Sequence, residues 1–278
     1  MDAKIINIAL QQLRNTNQEE LFKEAFFKEY FRVFRHNKGF KINVIENINL
    51  EDVIKLSDRL VSIFIDKLSM LSKLGIDNHI GMIIFIGDGK VDGHAIMLDG
   101  MSYIFIDLAA GIRRITVDFN WDVFISHEII HALYYKFNKA FYPGQYMTNE
   151  EIYMKRLIDE GMATYMSIRI FQLEDSLGYW LGLLKADEVK KWIVNCKKMK
   201  IAIGMQLEKI INSEVYDKSL YNRLFCIEAR ESILTYRLGY YYGVQIIKDI
   251  DHSQKIEDIF NLSYNEVKGF IRRYFKQI

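Results

Sequence analysis

One block of strand-like sequence interrupts a chain that otherwise reads as helix. Met82-Ile83-Ile84-Phe85-Ile86 is short, rich in β-branched residues and closed by Gly87-Asp88-Gly89. His94 to Leu98 follows, then Asp99-Gly100, then Met101 to Leu108. An Asp-Gly pair between two such runs is a strong hairpin signal, because both residues accept the left-handed backbone of a tight turn. The pattern predicts a small sheet over about residues 81–108.

On either side the apolar period is helical. Leu21, Phe22, Ala25, Phe26, Tyr30, Phe31 and Phe34 recur at helical spacing. A second helix is expected from near Glu51 to Leu74, with Gly75 as its stop. Helices resume after about residue 119. There Thr148 with Glu151, and Ser263 with Glu266, match the capping box that satisfies the orphan donors of a first helical turn. The chain has one proline in 278 residues, against an average usage of ~5%. Proline breaks helix interiors, so its scarcity suits this reading. The expected fold class is α+β and mostly helical. An N-terminal helical region, 1–80, precedes a region 81–278, or the two form one continuous domain.

Composition narrows the functions open to such a fold. Half the residues are hydrophobic, enough for a buried core. Lys+Arg 37 against Asp+Glu 36 leaves a net charge of +1, so no nucleic-acid partner is expected. Lys190, Lys191, Lys197, Lys198 and Lys200 read as a solvated helix face, and Phe270 to Lys276 as an amphipathic closing helix that packs on the core. Two cysteines, Cys196 and Cys226, are too few for a disulfide framework or a four-thiolate zinc site, and read as small buried hydrophobes. No apolar run reaches the ~18 residues of a membrane span. The start lacks the apolar core of a secretion signal, so the expected location is the cytoplasm.

The chemistry is concentrated in Ser126-His127-Glu128-Ile129-Ile130-His131. Residues four apart share one helix face, so His127 and His131 can aim their imidazoles at one point. Two neutral imidazoles on one rigid helix make half of a tetrahedral zinc site. Glu128, one position along, can stand beside such a metal and take a proton from water. A catalytic zinc needs a third protein ligand and an open position. The best candidate is Glu160, in Asp159-Glu160-Gly161-Met162-Ala163 on the next expected helix. Small residues at 161 and 163 would let that helix approach the histidine helix closely. The competing reading of this segment is a solvated acidic face with a packing glycine. His94 reads as a turn or strand histidine rather than a ligand, and His36, His79 and His252 as surface residues.

His127-Glu128-Ile129-Ile130-His131 followed by Glu160-Gly161-Met162-Ala163 resembles the gluzincin group of zinc metallopeptidases. The resemblance covers roughly residues 81–250. It implies a zincin-like catalytic unit, with a small sheet and active-site helix above a helical lower part. It implies one zinc per chain, held by His127, His131 and Glu160, with Glu128 as general base. It also implies that Tyr103 to Asp107 is an edge strand that binds extended substrate by strand addition. Two departures stand out. Twenty-eight residues separate His131 from Glu160, and Thr164 occupies the position where many relatives carry an acidic partner for a zinc-bound histidine.

Some members of the group place a catalytic tyrosine in a Tyr-x-x-Gly segment, and Tyr240 with Gly243 is similar to it. The other reading of Tyr240-Tyr241-Tyr242 is tyrosines packed along a helix with their hydroxyls in water. The expected function is therefore zinc-dependent cleavage of a peptide or protein substrate. The alternatives are a non-catalytic interaction protein on the same scaffold and a zinc hydrolase of non-peptide amides.

Overall fold

The computed structural model describes residues 4–14, 25–34, 48–87, 89, 92–113, 119–146, 148–213, 215–226, 230–251 and 256–276. The chain forms two compact units, Met1–Lys136 and Phe137–Ile278.

The first unit holds a four-stranded mixed sheet of β1 (Lys4–Asn7), β2 (Ile80–Phe85), β3 (Gly93–Leu98) and β4 (Met101–Asp107). The strand order is β1-β2-β4-β3; β1, β2 and β4 run parallel and β3 antiparallel to β4. The expected hairpin is present. Leu98 pairs with Met101, and Asp99 and Gly100 take φ of 48° and 80°, the left-handed pair that a two-residue loop needs.

Two expectations about this sheet are corrected. It does not begin near residue 81, because Lys4–Asn7 pairs in register with Gly81–Ile84. Four residues are too few to show a period, and the pairing is set by a partner more than seventy positions away. Nor is Tyr103–Asp107 an edge. The tight turn folds β3 back onto β4, so β4 is hydrogen-bonded on both sides and the edges are β1 and β3.

The helices of this unit are α1 (Ala9–Arg14), α2 (Ala25–Phe34), α3 (Leu50–Lys73), α4 (Leu108–Arg113) and α5 (Trp121–Phe137). Residues 21–24 of the expected first helix lie outside the described residues; Ala25–Phe34 forms as expected. Its Phe26, Phe27 and Tyr30 bury against Ile83, Phe85, Ile96, Tyr103 and Phe105 of the sheet. The α3 helix starts where Asn49 accepts a hydrogen bond from the Glu51 N–H and stops before Gly75, whose φ is +72°.

Buried polar groups tie the sheet ends down. The Gln12 side chain donates to the Ile86 carbonyl at 2.9 Å and accepts from the Ile86 N–H at 2.7 Å. The Asp107 carboxylate accepts from the N–H groups of Gly87, Gly89 and Ala109, which fixes both the turn after β2 and the first turn of α4.

The second unit is helical. After short 3₁₀ turns at Lys139–Phe141 and Pro143–Gln145 come α6 (Asn149–Phe171), α7 (Asp175–Trp180), α8 (Ala186–Ser213) and α9 (Lys218–Phe225). A 3₁₀ stretch, Arg230–Thr235, then leads to α10 (Leu238–Asp251), α11 (Ile256–Phe260) and α12 (Tyr264–Lys276). Both expected capping boxes form, at Thr148 with Glu151 and at Ser263 with Glu266. In α12, Val267 and Ile271 are buried while Arg272 and Arg273 are exposed, the expected amphipathic packing. Most of the basic face of α8 is exposed as expected, but Lys200 is half-buried, its ammonium 4.0 Å from the Tyr274 ring centre.

The centre of the unit is the pair α6 and α10. A Cβ on Gly161 would stand 2.5 Å from Gly243 Cα, and one on Gly243 would stand 3.0 Å from Gly161 N. The absence of side chains at both positions lets the two backbones touch. The sequence expectation gave Gly161 the task of admitting the histidine helix; its partner is Gly243 of α10. Asp251 accepts hydrogen bonds from the Tyr165 hydroxyl, at 2.6 Å, and from Arg169. Among the described residues no helix is long and apolar enough to cross a membrane.

Candidate metal centre

In the first unit the site is built on α5. Lys67 of α3 reaches Asp122 in the first turn of α5 at 2.8 Å, and Lys136 in its last turn reaches Asp77 at 2.7 Å. Every residue from Val123 to Tyr135 is buried. A helix enclosed on all sides is ordinarily apolar throughout. This one carries His127, Glu128 and His131 at 3%, 5% and 1% exposure. Burying such groups costs free energy unless they meet partners or a metal, so their presence calls for a chemical reason.

The two imidazoles converge. Nε2 of His127 and Nε2 of His131 stand 3.1 Å apart, and the ring centres 4.7 Å apart. Two nitrogens each ~2.0–2.1 Å from a tetrahedral zinc would stand roughly 3.3–3.4 Å apart. The pair therefore fits a shared metal with a shift of a few tenths of an ångström. Glu128 points elsewhere: its Oε2 lies 3.8 Å from Nδ1 of His94.

His94, expected as a turn or strand histidine rather than a ligand, does lie on a strand. It sits on β3, 5% exposed, with its ring centre 4.9 Å from that of His131 and 6.1 Å from that of Tyr135. His94, Glu128 and His131 each offer a donor atom within 4.8 Å of the others, a second group able to hold a metal. No spacing relates residue 94 to residues 127–131; only the packing of β3 beside α5 does. His79 is exposed, as expected, and His36 and His252 lie outside the described residues.

In the second unit Glu160 and Tyr240, both selected from sequence, are brought together. Asp159 is fully buried and Glu160 is 1% exposed, which rules out the solvated acidic face. Every residue from Leu157 to Thr164 is buried. Glu160 Oε1 lies 2.5 Å from Arg156 Nη2, an i,i+4 ion pair on α6, with Asp159 3.7 Å from Nη1. The Tyr240 hydroxyl is hydrogen-bonded to Glu160 and is not in water. Burial pushes the Tyr240 phenol well above its usual pKa; Arg237 and Arg156 oppose that shift, and Glu160 adds to it. The phenol is thus a protonated donor across the ordinary pH range. Thr164 is fully buried, and its hydroxyl makes no hydrogen bond among the described residues.

A scan of protein-family models and searches of curated proteins and of solved structures each return no match to this chain.

Proposed function

We propose that the chain is a zinc-dependent hydrolase that cleaves peptide bonds, a gluzincin-like metallopeptidase on a zincin-like plan. The observation that carries this reading is the convergence of His127 and His131 through Nε2 atoms 3.1 Å apart on one buried helix, with Glu128 beside them. One zinc per chain would be held by these histidines and by Glu160. The Glu-Gly-x-Ala segment and the burial of its carboxylate on α6 support Glu160 in that role.

Zinc, when bound, polarises a carbonyl and lowers the pKa of water toward ~7. Glu128 takes the proton of the attacking water and returns it to the leaving amine. Tyr240, kept protonated by burial, would turn its one donor hydrogen from Glu160 to the oxygen on which negative charge develops. The substrate is a peptide or protein, met in the cytoplasm.

One observation favours a second reading. His94, Glu128 and His131 form a donor group within the first unit alone. In that arrangement Glu128 is a ligand and cannot serve as the base. Zinc stoichiometry and hydrolysis of a peptide library, measured on one preparation of Glu128→Gln, separate the readings. Zinc retained with turnover reduced by ~10²–10⁴ or more supports the base. Loss of both makes Glu128 structural or a ligand. Retention of both removes the hydrolase mechanism and leaves an interaction protein.

A further inference from the structure

Beside Glu160 and Tyr240 lies a cluster of hydrogen-bond donors that the proposed chemistry leaves unused. Arg237 is 7% exposed, and its Nε and Nη2 are buried and make no hydrogen bond among the described residues. Trp180 is fully buried, and its Nε1 likewise makes none. The guanidinium carbon of Arg237 lies 3.7 Å from the Tyr240 ring centre and 5.5 Å from the Trp180 ring. Buried donors left without acceptors are rare, because each costs the free energy of lost hydration. Here two of them belong to one guanidinium, which carries a full positive charge.

The backbone is committed to the same place. Arg237 immediately precedes α10 and has φ of 55°, a left-handed conformation that non-glycine residues rarely hold. Its carbonyl accepts from the Tyr240 N–H at 3.1 Å, and the carbonyl just before it, of Tyr236, accepts from Trp192 Nε1 at 2.8 Å. The strained residue is held in place, and its guanidinium folds over the first turn of α10. The positive end of that helix dipole adds to the guanidinium charge.

The geometry points to a binding site for a carboxylate. Nε–H and one N–H of Nη2 project in parallel from the same edge of a guanidinium, at the spacing of the two oxygens of a carboxylate. Both donors of that edge are the unpaired ones in Arg237. Tyr240 links the site to Glu160, since one ring faces Arg237 and bonds Glu160 through its hydroxyl. On the peptidase reading, on which this part of the inference rests, the anion is a carboxylate of the peptide substrate. It is either the free C-terminus or an acidic side chain, and Arg237 is a specificity-determining residue.

The test is calorimetric binding to the full chain stripped of zinc, so it reads the site whether or not the chain hydrolyses anything. The probes are acetyl-trialanine with a free carboxylate, acetyl-trialanine amide, acetyl-Ala-Asp-Ala amide and inorganic phosphate. One or both carboxylate probes should bind at least ~10-fold tighter than the uncharged amide, and the tighter one identifies the source of the anion. Arg237→Asn, a residue type tolerant of the left-handed backbone, should abolish that preference. Arg237→Lys, which keeps the charge without the two-pronged edge, should retain part of it. Equal binding of acid and amide by the unaltered chain overturns the proposal. So does a preference that survives in Arg237→Asn, or phosphate bound tighter than either carboxylate. If Arg237→Asn does not fold by circular dichroism, the acid–amide comparison on the unaltered chain and on Arg237→Lys decides.

Discussion

His127 and His131, four residues apart on α5, present their Nε2 atoms to each other at 3.1 Å. Two buried imidazoles aimed at one point need a shared proton or a shared metal. On the zinc reading, replacing either by alanine would remove a ligand. Zinc affinity should fall by more than the ~10–100-fold that loss of an outer-shell partner costs, as read by elemental analysis after dialysis. Glu160→Gln should weaken zinc in the same assay. Full zinc occupancy in all three variants would remove this site from consideration.

Tyr240 gives a prediction that separates chemistry from structure. Tyr240→Phe removes the hydroxyl bonded to Glu160 and keeps the ring against Arg237. As a donor to the developing oxyanion it should cost ~10²–10³ in kcat with zinc per chain unchanged. A purely structural hydroxyl would leave kcat alone and shift stability by only ~1 kcal/mol.

Two glycine-to-alanine changes, one inside the α6–α10 contact and one on α12, should have opposite outcomes. At Gly161 a methyl would meet the backbone of Gly243, which cannot rotate aside. Gly161→Ala should destabilise by ~1–3 kcal/mol, the usual cost of overpacking. Gly269, on α12, has only Arg273 Nη1, at 3.9 Å, near the position of an added Cβ. Gly269→Ala should stabilise by up to ~1 kcal/mol through helix propensity. Urea denaturation of the two variants checks both signs.

The two cysteines should differ in reactivity. Cys196 is fully buried, and burial pushes its thiol well above the usual pKa, whereas Cys226 is only partly buried. The thiolate is the reactive species. A thiol reagent should therefore titrate Cys226 rapidly in the native protein and Cys196 only after unfolding. Equal rates in the native state would contradict the packing of α8, where Tyr242 also donates to the Cys196 carbonyl at 2.8 Å.

Local sequence determined what local physics decides. The Asp99-Gly100 turn, the caps at Asn49, Thr148 and Ser263 and the stop at Gly75 all follow from residues within a few positions of one another. The convergence of His127 and His131 was legible for the same reason, because a helix places residues four apart on one face.

Tertiary structure decided everything that depends on distant partners. The strand Lys4–Asn7 exists through its pairing with Gly81–Ile84, and β4 lost its expected edge because β3 folded onto it. Gly161 proved to admit α10, through a second glycine more than eighty residues on. His94 reached Glu128, and Arg237 reached Tyr240 and Trp180, with no spacing to announce either. Periodicity reports which face of an element is apolar. Which element covers that face, and which buried polar groups then meet, is set by packing between segments remote in the chain.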